Sequence, residues 1–476
     1  MMTHLRHITS SGIPGCSVRR SRSALLGSVS WGTAALLAVS VISVPVTAED
    51  DGLGGYLSDT LDEAVFFSAT LTHESALDLN DGNGQKVETI LQPELEIELP
   101  DGLSLTAIGR ARWDVRDRLE PGSPSQDSTA TISRRWLASD DVDFELREFY
   151  VDAPTSFAHF RIGKQQTVWG QADGLKVLDV VNPQDFREFI LDDFEDSRIP
   201  LWTFAAEVPV DDFMAEFLWI PDQTYNDLPE ADALYALTAP RFVPEAIPGF
   251  TVIQREPDRP DDIIADSDAG ARLLGMVDGW DFSLNYLFHY DDNPVLRRRV
   301  QGTTVTINPV YERTHLLGGT FSNSFGDFVL RGELGYSFDR FFLTDDPTDS
   351  DGVEESDNVS SVIGLDWNGL DDTFVSAQIF GDYLTNDING LVRDQFEATT
   401  SLLVRRSFLD EDLVAEVIWL QSVNSGDGLI RPKITYQVDD NVKLWAGADI
   451  FFGTSDGVFG QFNDNDRFLF GVQFSF

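Results

Sequence analysis

Charged side chains recur at alternate positions along several apolar stretches. Arg110 and Arg112, Arg161, Arg272, Arg331 with Glu333, and Arg405 sit this way, as do Arg431, Lys433 and Lys443. Between two such stretches the segment 165–199 is rich in acids, with Asp173, Asp179, Asp185 and Glu188 among them. Basic strand faces opposed to an acidic loop across a narrow water-filled gap would set up a transverse field. Such a field sorts solutes by charge and dipole. For each arginine the competing role is a salt bridge that only pins the loop or braces a wall. Acidic mouths would favour cations and an inner arginine set anions; net charge tips the expectation toward cations.

No catalytic or metal-binding constellation accompanies these charges. Beyond residue 48 the histidines are His73, His159, His289 and His315, scattered and without a His-x-x-x-His pair. Cys16 is the single cysteine. That stretch has no Gly-x-Ser-x-Gly elbow and no Walker loop. Asp345, Asp346, Asp349 and Asp351 lack EF-hand spacing and read as solvated loop charge. The expectation is a protein that is not an enzyme and holds neither cofactor nor metal.

Composition narrows the class further. The 476 residues carry 34 Lys and Arg against 80 Asp and Glu, a formal charge of −46. Phosphate backbones would be repelled, so nucleic acid is not an expected partner. With 34 Phe and 10 Trp the chain is too apolar for disorder. No second long apolar run follows the N-terminus, which excludes a helical membrane bundle.

The N-terminus reads as an address. Arg6, Arg19, Arg20 and Arg22 precede an apolar stretch that ends in Val46-Thr47-Ala48. This is the layout of a secretory signal peptide, residues 1–48, cleaved after Ala48. Its loss removes these four arginines and the cysteine, taking the formal charge from −46 to −50. A membrane anchor is the competing reading, but the apolar stretch is short and interrupted by Pro45 and Thr47.

Residues 49–476 alternate apolar and polar residues with period two. Leu103, Leu105, Ala107, Gly109, Ala111 and Trp113 alternate with Thr106, Arg110 and Arg112; Phe328, Leu330, Gly332 and Leu334 alternate with Arg331 and Glu333. Runs of about ten such residues mark membrane-spanning strands. Eighteen are expected: 64–77, 87–99, 103–115, 144–152, 158–164, 200–208, 212–220, 270–277, 281–290, 313–322, 327–338, 358–366, 373–383, 396–405, 413–420, 430–437, 441–451 and 466–476. Sixteen fit as well, because 144–152 and 158–164 alternate poorly. Connections alternate between short, turn-forming ones such as Pro100-Asp101-Gly102 and long ones, the largest being 221–269. The fold class is therefore an all-β, transmembrane, antiparallel up-and-down barrel in the outer membrane of a Gram-negative bacterium, with both termini periplasmic.

A barrel this wide leaves a channel unless something fills it. The third external loop, 165–199, is the candidate, because Val177, Leu178, Val180, Val181, Phe186, Phe189, Ile190 and Phe194 need burial. It either folds into the lumen as the constriction or caps the mouth from outside. Asn182, Pro183 and Asp185 suggest a short helix over 183–191.

Phe468, Phe470, Phe474 and Phe476 share one face of the last strand, which resembles the sorting signal of outer-membrane barrels. The stretch Gly163-Lys164-Gln165, Trp169-Gly170, Gly174 and Asn182-Pro183 resembles an uncharacterised proteobacterial outer-membrane barrel family of domain-of-unknown-function type. The whole layout is similar to porins and alginate-export barrels. The resemblance implies a porin-type barrel and names no substrate. The implied partners are outer-membrane lipid and lipopolysaccharide, the barrel-assembly machinery and small solutes. The expected function is a passive channel for small water-soluble solutes. The alternatives are an adhesion or assembly platform built on loop 221–269, or a conduit for apolar substrates.

Overall fold

The computed structural model describes residues 64–476 apart from 245–247 and 347; the expected signal segment 1–48 lies outside the described residues. Period-two patterning becomes eighteen antiparallel strands. They are β1 (Val65–Asp78), β2 (Gly84–Glu98), β3 (Ser104–Asp114), β4 (Val142–Pro154), β5 (His159–Gln165), β6 (Leu201–Val210), β7 (Phe213–Ile220), β8 (Asp268–Val277) and β9 (Trp280–Tyr290). The second half comprises β10 (Arg313–Phe325), β11 (Phe328–Leu343), β12 (Val353–Leu370), β13 (Thr373–Leu384), β14 (Phe396–Phe408), β15 (Leu413–Ser422), β16 (Gly428–Asp439), β17 (Val442–Phe452) and β18 (Arg467–Ser475). A two-residue strand, Leu137–Ala138, pairs with β4 from the preceding loop and stands outside this count. Each wall strand pairs with its sequence neighbours, and β18 returns to β1 with Thr70 opposite Ser475 and Asp78 opposite Arg467. The sheet closes and has no free edge. Every expected strand is present, and the sixteen-strand alternative falls.

The poor alternation near residue 144 has a local cause. The β3–β4 register jumps from Ile108 opposite Glu148 to Gly109 opposite Leu146, leaving Arg147 unpaired in the ladder. This β-bulge switches which parity faces inward, so no single period covers the strand.

The short connections use aspartate where the backbone turns left-handed. Asp101, Asp211, Asp278 and Asp372 have φ of 65°, 51°, 51° and 55°. Aspartate tolerates this region better than most residues because its short side chain bonds locally. Outside the barrel, apolar side chains stay exposed along the strands, among them Ile162, Leu284, Leu317, Leu334, Ile363 and Ile379. Exposed aromatics gather at both ends of this belt. Phe157, Trp280, Phe325 and Phe408 lie toward the short turns, and Trp113, Trp219, Phe396 and Trp419 toward the long loops. An apolar band between two aromatic girdles is the outer surface of a membrane-spanning barrel.

The loop between β9 and β10 forms a hairpin, Val295–Gln301 with Thr304–Val310, and Thr251–Gln254 of the long connection before β8 joins it in parallel. The start of that connection turns toward the barrel instead. Tyr225 stacks on Tyr311 at 3.8 Å, and Tyr235 packs against Phe451 and Phe462.

The helix expected over 183–191 does not form. Gln184 and Asp185 make isolated β-bridges, 187–190 is a turn, and the only α-helical turn in this loop is Phe194–Ser197. Asn182 cannot cap, because its Oδ1 accepts from Thr167 N at 2.7 Å. The N–H groups of Gln184, Asp185 and Phe186 donate to Asn226 Oδ1, Ser197 O and Asp227 O. Long-range partners have displaced the helical ones.

Phe476 and Ala69 exchange two backbone hydrogen bonds, 2.8 and 3.0 Å, at the β1–β18 seam. Deleting Phe476 removes both, along with an exposed girdle ring. The folded, fast-migrating band in unheated gels should disappear at a lower temperature than for the full chain, and refolding yield should drop several-fold. Equal melting of the two would show that the seam does not need this residue.

Candidate functional site: a loop across the lumen

The connection 166–200 leaves β5 at a backbone position that only glycine fills comfortably. Gly163 has φ 140°, and a Cβ there would collide with the Phe149 carbonyl. Lys164 then donates to Leu146 O at 2.8 Å, and Gln165 Nε2 to Thr203 O at 3.1 Å. Asn182 clasps the base of the loop, holding Thr167 N and also Ile199 O at 2.8 Å. The Gly-Lys-Gln and Asn-Pro elements are thus the two ends of one anchor.

The first arm of the loop lies against β7 to β15. Buried Trp169 donates its Nε1–H to Glu216 of β7 at 2.9 Å. Arg272 of β8 bonds the same carboxylate at 2.9 Å and the Val168 carbonyl at 3.0 Å. Glu333 of β11 accepts from the Gln171 and Leu178 amides. Arg331 pairs with Asp173, which also accepts from Gln378 of β13 at 3.0 Å. Leu178 is fully buried against Gly318 and Gly335, positions where a Cβ would crowd it.

The second arm lies against the opposite wall. Asp185 faces Arg112 of β3 at 3.8 Å, and Arg187 pairs with Glu88 of β2 at 2.7 Å. Glu188 meets Lys86 of β2 at 2.5 Å and Arg467 of β18 at 2.7 Å. Arg431 of β16 donates to the Leu191 carbonyl at 2.6 Å. The bulged Arg147 reaches the Glu195 and Asp196 carbonyls at 2.7 and 2.9 Å. Phe189 sits among Phe451, Phe459 and Phe462. The loop therefore touches inward faces around the whole circumference and crosses the lumen.

The expected site residues divide into three groups. Arg112, Arg272, Arg331, Glu333, Asp173, Asp185 and Glu188 join loop to wall. Asp179 works inside the loop, pairing with Arg198 at 2.7 Å and Lys176 at 3.3 Å. Arg110 pairs with Glu145 at 2.6 Å, Arg405 with Glu416 at 3.0 Å and Arg161 with Asp152 at 2.9 Å, all within the wall. The wall is not uniformly basic, since Glu88 and Glu333 hold the loop too. Sequence reasoning missed Lys86, Glu88, Arg147, Glu216 and Arg467. Lys86 and Glu88 keep the polar parity of β2, a signal that could have found them.

Cavities lie on both sides of the second arm. One of about 470 Å³ is lined by loop residues such as Phe186, Ile190 and Phe194, and by Asp291, Arg340 and Asp382 of the wall and upper loops. Another, about 260 Å³, lies over the Lys86, Arg187 and Arg467 cluster. Asp192 lines both. Burial and the neighbouring Glu188 push the Asp192 carboxyl up to about 7, against the pull of Lys86 and Arg187. Burial works the same way on Glu188, but Lys86, Arg467 and Arg187 outweigh it and hold that carboxyl down to about 2.

Two outcomes follow from this cluster. Glu188→Gln leaves Lys86 and Arg467 facing each other without their shared anion, and should cost about 3–5 kcal/mol, read as a lowered unfolding temperature in detergent. Asp192 holds a proton in the folded barrel that an unfolded aspartate releases near pH 4, so its contribution to stability falls as pH rises from about 4 to about 7. Asp192→Asn should flatten that fall in a pH series of melting temperatures; an unchanged slope would assign the titration elsewhere.

Comparison with known proteins places the chain in a family. No curated protein matches it. Among solved structures, Pseudomonas aeruginosa OccK1 (OpdK) aligns at 13% identity over 87% of this chain and 99% of that one, with a TM-score of 0.48. OccK5 (OpdH) of the same organism aligns at 12% identity over 87% and 98%, TM-score 0.45. A loop L8 deletion mutant of the Vibrio cholerae outer membrane protein OmpT aligns at 11% identity over 87% and 99%, TM-score 0.41. The family described as "Protein of unknown function (DUF1302)" matches residues 34–476, and the chain belongs to it.

Proposed function

We propose that this barrel is an outer-membrane channel for passive diffusion of small water-soluble solutes, narrowed by the loop 166–200. The observation that carries this is the loop's path: it crosses the lumen, held by ion pairs and hydrogen bonds on both walls. A barrel of this width needs no side chains at its axis to be stable, so a loop built into it acts on what passes. The cavities on either side carry charged and hydroxyl side chains, including Ser337, Ser360, Ser361 and Thr399 above and Thr72, Lys433 and Lys443 below. Short turns on one side and long loops on the other support a reading with both termini in the periplasm.

Charge supports a preference for cations. Most inner arginines are already paired with carboxylates, so their fields are largely cancelled at the solute. In planar bilayers the purified barrel should give stepwise conductance and a reversal potential favouring potassium over chloride. Deleting 177–196 should enlarge the single-channel conductance at least two-fold. Correctly folded protein that never conducts would overturn the channel reading, and unchanged conductance on deletion would overturn the role of the loop.

A further inference from the structure

The cavity of about 470 Å³ has an unusual balance of charge. Seven carboxylates line it, against Lys176, Arg241 and Arg340. Each of these cations is spent on a partner: Arg340 on Asp291 at 2.7 Å, Arg241 on Glu397 at 2.8 Å, and Lys176 on Asp179 at 3.3 Å. Asp382 is held by Arg393 at 2.6 Å. Among the described residues, Asp192 and Asp292 have no side-chain hydrogen bond and no ion pair, although both line the cavity. Asp179 is 5% exposed, and its second oxygen, Oδ1, is buried without a partner.

Beside these carboxylates and several hydroxyl and amide side chains, the lining carries an apolar patch. Phe186, Ile190 and Phe194 come from the loop, and Phe380 from β13. The chain itself shows what such a surface accepts. Lys176 places its ammonium 4.7 Å from the centre of the Phe194 ring while bonded to Asp179. A cation held between a carboxylate and an aromatic face is stabilised by both, more so where water is partly excluded. The volume falls within the roughly 300–1,000 Å³ typical of ligand pockets.

We propose that this chamber is a binding site for small organic ammonium ions with an apolar body, the charge on Asp192 or Asp292 and the carbon skeleton on Phe186, Ile190, Phe194 and Phe380. An anion of the same shape finds no free cation there. The inference deepens the channel reading and rests on it for the passage of the solute, though not for its binding.

Benzylammonium and phenylacetate test it, being similar in shape and opposite in charge. Calorimetry on the folded wild-type barrel in detergent at about pH 8.5, above the raised Asp192 pKa of about 7 and below that of an alkylammonium, corrected for micelles alone, should give saturable binding of benzylammonium at least tenfold tighter than of phenylacetate. Asp192→Asn combined with Asp292→Asn should weaken benzylammonium at least tenfold, whereas Asp410→Asn, on a short turn, should not. Equal or tighter binding of phenylacetate, or an unchanged constant in the double variant, would overturn the site. Should the double variant fail to fold, the wild-type comparison of the two probes decides alone. Bilayer recordings separate the two readings: binding without conductance retains the site and rejects the channel, and conductance without binding does the reverse.

Discussion

Glu188 lies between Lys86 of β2 and Arg467 of β18, and those two strands flank β1, whose pairing with β18 closes the barrel. Glu74 of β1 joins the same cluster through Lys86 at 3.1 Å and accepts from Trp445 at 2.7 Å. The tip of a loop that leaves the wall at β5 is thus tied across the seam where first and last strands meet. Its charges are deeply buried, and burying them is costly unless each is satisfied. Here Glu88, Glu188, Lys86, Arg187 and Arg467 pair with one another, so removing any one exposes the cost of the rest. The path of the loop, and with it both cavities, depends on this cluster staying whole.

The first arm is fixed by different physics. Trp169 and Leu178 are buried with Leu218, Leu287 and Leu316, and the polar contacts around them go mostly to backbone amides and carbonyls. Apolar burial there supplies the driving force, while Glu216, Glu333 and Arg272 set direction. One end of the loop is held as a small hydrophobic core is held, the other as an ionic lock. Asp192 makes the second end responsive to pH near neutrality.

Much of this was legible in the chain. Apolar residues at every second position from Leu103 to Trp113 could form only a two-faced strand, and aspartates between such runs marked the turns. The aromatic stripe from Phe468 to Phe476 was equally plain, but it drew attention from Arg467, one position earlier and on the inner face. The acid content of 165–199 pointed to basic strands, yet Glu88 and Glu333 are among its partners, since pairing across the lumen joins residues 99 and 162 positions apart. The bulge at Arg147 and the missing helix at 183–191 share one cause. In both places a distant partner outcompetes the local pattern, and period and capping rules see only neighbours.

Paired charge and free charge have different consequences inside the lumen. An arginine bonded to a carboxylate contributes a dipole that falls off quickly, so Arg110, Arg112, Arg272 and Arg331 brace the structure more than they attract anions. What a solute in the proposed channel would meet is the unpaired remainder. Over the larger cavity that remainder is Asp192 and Asp292. Over the smaller one Lys433 and Lys443 stand against Asp193, Asp196 and the shared Asp192, closer to balance. The transverse field expected between basic strands and an acidic loop is therefore mostly quenched by the bonds that hold the loop. What survives runs along the axis, from an acidic chamber on one side of the loop to one closer to balance on the other. In the proposed channel a field in that direction would set which sign of charge enters, whereas a transverse one would act on how a solute turns as it passes.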